Sequence, residues 1–157
     1  MRYMGTLIVV RDMERAKRFY MDVMGSEIIH DFGANVGLTG GVSLQTADTW
    51  CIFILKQYDE IHFKNNASEL YFETDDLDSF VKKLETLDVP VVHPLVEHPW
   101  GQRGIRIYDP DGHVVEVSED MGIVTKRFLD SGMSVEEAAA RMGVPVEYVK
   151  SMQMSGR

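Results

Sequence analysis

Sliding the sequence along itself by 64 positions lays Asp12 on Asp76 without a gap, and the chemistry on either side repeats. Met13, Ala16, Tyr20 and Val23 fall on Leu77, Phe80, Leu84 and Leu87, apolar positions at helical spacing. Each aspartate stands where a helix N-cap belongs, its side chain free to accept the first backbone N–H groups. Upstream, residues 7–10 fall on residues 71–74, two short β-prone runs. Downstream, Val91 and Val92 follow the second helix as Ile28 and Ile29 follow the first. Each copy reads as strand, helix and three strands, and each alone would leave one sheet face uncovered. Two copies at so long a period do not make a solenoid. They predict an α+β fold: two βαβββ modules forming one curved mixed sheet around a cavity. The expected divisions are 1–46 for the first module, 47–66 for a connector, 67–120 for the second module and 121–157 for a helical tail.

The clearest single element lies at residues 103–118. Ile105 and Ile107 alternate with Arg106 and Tyr108, the period of a half-buried strand. Asp109-Pro110-Asp111-Gly112 is turn chemistry, with a preset φ at Pro and a tolerated positive φ at Gly. Val115 and Val117 then alternate with Glu116 and Ser118, completing a hairpin. The connector is strongly apolar through Trp50, Ile52, Phe53, Ile54 and Leu55, and reads as a strand or short helix that caps the core. In the tail, Ser134 caps a helix whose first turn holds Glu136 and Glu137. Gly143-Val144-Pro145 breaks the chain before a last short helix, giving a helix-turn-helix-like appendage.

Strand parity sorts the polar residues. Leu70 and Phe72 face the second helix, so Glu69, Tyr71 and Glu73 face the opposite, concave side. The same rule puts Arg106 and Glu116 on that side, with Ser43 and Gln45 from the first module. Glu69, Glu116, Gln45 and Arg106 are therefore expected to converge on one cavity walled by Leu7, Val9 and Tyr71, a ligand site of mixed character. Two carboxylates and an amide oxygen are hard donors suited to a divalent ion. The competing reading is an Arg106–Glu116 ion pair across the hairpin with Glu69 solvated. Trp100, beside Gly101 and Arg103, either lines the cavity mouth, where it would hold a planar or anionic molecule, or packs over the sheet edge. The histidines read more plainly: His93 and His98 flank prolines in a loop and are expected to be exposed, and His113 to cap the hairpin or face solvent.

Bulk properties narrow the partners. A net charge of −9 over 157 residues disfavours nucleic acid and anionic membranes, whose phosphates call for Lys and Arg. The last helix expected in the tail adds only one basic residue, Lys150, too few for a groove reader. No apolar run is long enough to suggest a membrane span. Cys51 is the only cysteine, so no internal disulfide can form, and the first residues lack the basic start and apolar core of a signal peptide. Both point to the cytoplasm.

The Asp-capped helix ending in Phe19-Tyr20 and Gly25, the two βαβββ copies, and the Asp109-to-His113 turn followed by Glu116 resemble the vicinal oxygen chelate superfamily. That group includes glyoxalase I, extradiol dioxygenases, methylmalonyl-CoA epimerase and bleomycin-resistance proteins, and the resemblance covers about residues 2–120. It implies metal ligands on the first and fourth strands of each copy, positions held here by Gly5, Gln45, Glu69 and Glu116. Gly5 has no side chain to offer. The resemblance implies a glyoxalase-I-like lyase or isomerase acting on a small molecule through a divalent metal ion (Ni, Zn, Mn or Mg). Glu69, Glu116 and Gln45 would be its ligands, and Glu116 or Glu69 would shuttle the proton. Trp100, Arg103, Arg106 and Tyr71 would bind substrate, and the chain would form a homodimer. The alternative is a metal-free binding protein that sequesters a drug or aromatic metabolite, with Trp100, Trp50, Tyr71 and Arg106 as its contact surface. A third possibility, a ligand-sensing regulator, would use the tail to bind DNA in a salt-dependent way.

Overall fold

A computed structural model describes residues 1–154. The first copy contains β1 (Thr6–Val10), α1 (Met13–Arg18) continued by a π-helical turn (Phe19–Val23), β2 (Ile28–Asp31), β3 (Asn35–Leu38) and β4 (Val42–Thr46). The second contains β5 (Glu69–Thr74), α3 (Leu77–Glu85), β6 (Val91–Glu97), β7 (Arg103–Tyr108) and β8 (Val114–Glu119). Between them α2 (Ala47–Ile54) and a 3-10 turn (Tyr58–Glu60) form the connector. The repeat is thus real at the level of elements. It extends to the caps, since Asp12 accepts from Arg15 N at 2.9 Å and Asp76 accepts from Ser79 N at 3.0 Å.

Each copy builds a four-stranded mixed sheet, in the orders β1-β4-β3-β2 and β5-β8-β7-β6. The first and last strands of each copy pair in parallel, β1 with β4 and β5 with β8. By contacts the chain divides into two compact units. One is Met1–Ser68 with Tyr108–His113; the other is Glu69–Ile107 with the described residues from Val114 onward.

In the first unit the expected parity holds: Ile8 and Val10 are buried while Leu7 is exposed. Val36, Leu44 and Tyr20 complete the core. The Tyr20 hydroxyl donates to Asp109 Oδ2 at 2.9 Å, which ties the helix to the 109–113 turn. That turn is held by Asp109 itself, whose Oδ1 accepts from Asp111 N at 2.9 Å and His113 N at 2.8 Å. His113 also meets Asp109 Oδ2 through Nδ1 at 2.8 Å. The connector helix α2 buries little more than Ala47 and leaves Ile52, Phe53 and Leu55 exposed.

In the second unit β8 runs through the middle of its sheet, and all six of its residues are buried. Leu77 and Leu84 of α3 supply the apolar helix face predicted from spacing. The tail forms α4 (Met121–Asp130), α5 (Val135–Met142) and α6 (Val146–Met154). Val124, Ala138, Ala139, Met142 and Val149 make its own small core. A capping box between Ser134 and Glu137 starts α5, and Gly143 at φ 69° ends it. Arg127 fastens α4 to the sheet through both oxygens of Glu119 and the carbonyl of Gly101. Glycine is required at 101, because a Cβ there would run into the Phe128 ring.

Candidate functional site

The charged residues of the second sheet meet around one side chain. Arg106, on β7, sends its three guanidinium nitrogens to three acceptors. Nε donates to Glu69 Oε2 at 2.8 Å, one terminal nitrogen pairs with Glu116 Oε2, and the other meets His93 Nε2 at 3.1 Å. The strand order explains the convergence: β7 lies between β8, which carries Glu116, and β6, which carries His93. Glu69 comes from β5 on the far side of β8. An arginine has only donors, so His93 Nε2 accepts, and its Nδ1 carries the proton that goes to Pro94 O at 2.8 Å. Glu116 is 3% exposed, and its other oxygen accepts from Ser118 Oγ at 2.6 Å. Gly104 makes room for this, since a Cβ there would strike Ser118 Oγ.

The electrostatics follow the contacts. The hydrogen bond from Arg106 holds the Glu69 carboxyl below its ordinary value of 4.5. The same contact raises Arg106 further above its ordinary range. A carboxylate depressed by folding adds stability that is fully present above its unfolded value and is lost as pH falls through the folded one. The urea midpoint of the native chain should therefore fall more steeply below pH 4.5 than that of Glu69→Gln. Parallel curves for the two proteins would refute this coupling.

A second group lies on the same unit. Tyr71 pairs in register with Glu116, and its hydroxyl donates to Glu73 at 2.7 Å. Partial burial, then that bond, push the phenol well above its ordinary value, so it remains a donor. Gln102 is 4% exposed. Its carbonyl accepts from Trp100 Nε1 at 3.0 Å, and its amide nitrogen reaches Tyr71 OH and Glu119 O, each at 2.8 Å. Trp100 is exposed and stacks on His98 at 4.4 Å, with the rings 8° from parallel. Among the described residues, His98 Nε2 is the one buried side-chain polar atom recorded without a hydrogen-bond partner. Arg103 binds Glu119 through Nε at 2.7 Å and Asp78 through a terminal nitrogen at 3.0 Å.

The expected metal donors are engaged otherwise. Glu116 pairs with Arg106, as the competing reading has it, but Glu69, which that reading leaves solvated, pairs with Arg106 too. Gln45 belongs to the first unit, where its Oε1 accepts from Asn35 at 2.9 Å and its Nε2 donates to Thr49 on α2. At Gly5 any Cβ would collide with Gly41 O, so no side-chain ligand fits there. Among the described residues no three His, Cys, Asp or Glu side chains are arranged to hold a metal ion. As they stand, these donors do not fit a divalent ion. Sequence reasoning missed His93, Gln102 and Glu119. His93 was read as loop but sits on β6, where register shifts on either side of it disturb the alternation that would have exposed its direction.

Other recesses lie away from this chemistry. One of about 460 Å³ opens between α4 and α6, and one of about 580 Å³ lies beside α2. Neither includes any of the residues above. No helix among the described residues is long and apolar enough to cross a membrane.

Residues 3–122 match the glyoxalase-like domain family. A protein of unknown function from Agrobacterium tumefaciens str. C58 is 34% identical, with 76% of this chain and 94% of that one covered and a TM-score of 0.69. A lactoylglutathione lyase from Agrobacterium tumefaciens is 27% identical over 76% and 94%, with a TM-score of 0.59. A glyoxalase/bleomycin resistance protein/dioxygenase family enzyme from Burkholderia phytofirmans PsJN shares the fold at 18% identity, over 74% and 96%, with a TM-score of 0.65. No curated protein matches in sequence.

Proposed function

Since this chain belongs to the glyoxalase-like domain family, we propose that it is a metal-free small-molecule binder that sequesters a planar compound against the second sheet. The observation that carries this reading is Gln102. A buried amide that satisfies itself on the Trp100 indole and the Tyr71 phenol fixes two rings that are themselves exposed. Fixing surface rings does little for a core, but it lowers the ordering cost when a flat molecule lands on them. The unfilled His98 Nε2 supports the same reading, since a ligand's polar edge could satisfy it. Trp100 and Tyr71 are the proposed stacking contacts, and Arg103 and Arg106 the proposed polar ones. A homodimer in the cytoplasm belongs to this proposal. The exposed Ile52, Phe53 and Leu55 of α2 favour association, and the lone cysteine suits a reducing compartment.

The test is a titration with bleomycin and with planar heteroaromatic compounds, followed by tryptophan fluorescence in excess chelator. Saturable binding is expected in the native chain, weakened about tenfold in Gln102→Leu. Binding that appears only after a divalent ion is added would end the metal-free reading.

A second reading is a glyoxalase-I-like lyase or isomerase with Glu116 and Glu69 as catalytic groups. The 27% identity to the protein described as a lactoylglutathione lyase favours it. It requires a divalent ion at Glu69, Glu116 and Gln45, and hence that Arg106 release both carboxylates. Metal-dependent turnover of an α-ketoaldehyde–thiol adduct would establish it.

A further inference from the structure

We infer that the helical tail is a working part of the ligand-binding loop. Arg127 of α4 is a positioning residue: it holds Gly101, and through Gly101 it sets Trp100 and Gln102 in place for a flat molecule. The inference rests on the binding reading above. It adds to that reading a part of the chain outside residues 3–122, the span that matches the family.

The loop covers residues 98–102, between the end of β6 at Glu97 and the start of β7 at Arg103. His98 N donates to Gln102 O and Gly101 N donates to His98 O, each at 2.8 Å. Those bonds fix the loop's shape, and its position is fixed from outside. From the sheet, Glu119 O and the Tyr71 hydroxyl take the Gln102 amide. From the tail, Arg127 Nη2 donates to Gly101 O, and the Phe128 ring fills the space where a Cβ of residue 101 would stand. Arg141 of α5 pairs at 3.3 Å with Glu97, the residue that leads into the loop. The guanidinium groups of Arg127 and Arg141 lie 5.9 and 5.6 Å from the centre of the Phe128 ring. Three tail side chains therefore hold the chain at residues 97 and 101, on either side of His98 and Trp100.

Glu119 joins the two parts. Its carboxylate accepts from Arg103 Nε and from Arg127 Nη1, and its carbonyl accepts from Gln102. Loop and tail share this anchor, so ordering one lowers the entropic cost of ordering the other. The side chains that gain are Trp100, exposed and stacked on His98, and Gln102, which carries the bond to Tyr71. Holding the indole before a ligand arrives removes an ordering cost from binding. The coupling is reciprocal, so a ligand on Trp100 should raise amide protection in α4.

The test uses the full chain carrying Trp50→Phe, which leaves Trp100 as the one indole. In that chain Arg127→Lys keeps a cation for Glu119 but lacks the second nitrogen of the fork. It should release Gly101 and leave the tail docked. Without ligand, acrylamide should quench Trp100 faster than in the Trp50→Phe parent, and a fast anisotropy decay should appear, while amide protection in α4, α5 and α6 stays at the parent's level. In excess chelator, bleomycin should bind the variant about three- to tenfold more weakly than the parent. Where Arg127→Lys frees the whole tail, Phe128→Leu, which removes only the ring against Gly101, takes its place. Unchanged quenching and anisotropy would overturn the proposal, as would a loosened indole with the parent's affinity for bleomycin. If the parent itself binds no bleomycin, that result counts against the binding reading, and the ligand-free indole measurements still decide whether Arg127 holds the loop.

Discussion

Glu119→Ala should lower the unfolding free energy by about 3 kcal/mol and loosen the tail first. Glu119 is 3% exposed and accepts from the Arg103 backbone N–H, from Arg103 Nε and from Arg127. Burial alone would push its carboxyl up, but the Arg103 and Arg127 donors together hold it below its ordinary value. Removing one partner of a buried pair costs about 3–5 kcal/mol. The lower end applies here because both arginines are partly exposed and Arg103 keeps Asp78. Arg127 would retain only the Gly101 carbonyl, so α4 loses its main anchor to the sheet. Urea unfolding gives the total, and amide exchange locates it: protection should fall in α4, α5 and α6 before it falls in β1 and β4. Uniform loss of protection, or an unchanged midpoint, would contradict this account of how the tail is held.

Arg106→Ala should cost about 3–5 kcal/mol, because it strands the Glu116 carboxylate inside the central strand of its sheet. The cause can be separated from simple loss of contact. Arg106→Met combined with Glu116→Leu removes both charges at similar volume, and such replacements are often neutral or stabilising. The double variant should therefore unfold at a urea concentration near the native one, well above that of Arg106→Ala. If the double variant is as unstable as the single, the buried charge is not the source of the penalty. The pair would then matter for packing, along the aliphatic stem of Arg106.

The tail links these results to the fold. Its expected helices are present, and its own apolar core is small, so docking through Glu119, Arg127 and the Arg141–Glu97 pair matters to its placement. The helix that would read DNA, α6, pairs its Lys150 with Glu147, which leaves it poorly supplied with phosphate donors.

Much of the architecture was legible in particular residues. Asp12 and Asp76 announced their helices because an N-cap acts within one turn of itself. Asp109 announced the hairpin because its carboxylate binds the backbone of the same turn. Alternation along β5, β7 and β8 put Glu69, Tyr71, Arg106 and Glu116 together, because side-chain direction in a strand is a two-residue rule. Gln45 shows where such rules stop. Its strand is legible, but the Thr49 hydroxyl that takes its amide belongs to α2, a segment whose sequence leaves strand and short helix equally open. Gln102 carries no periodic signal because it lies in a tight loop, closed by His98 N donating to Gln102 O at 2.8 Å.

By itself the sequence determined the two βαβββ copies, their capped helices, the 109–113 turn and the faces of the strands, all outcomes of interactions among near neighbours in the chain. Only the tertiary structure decided what the polar face does with its charges. The order β5-β8-β7-β6 brings residues 69, 93 and 116 around residue 106. Which acceptor a guanidinium takes is set by distance and burial across strands, and no spacing along one strand encodes that.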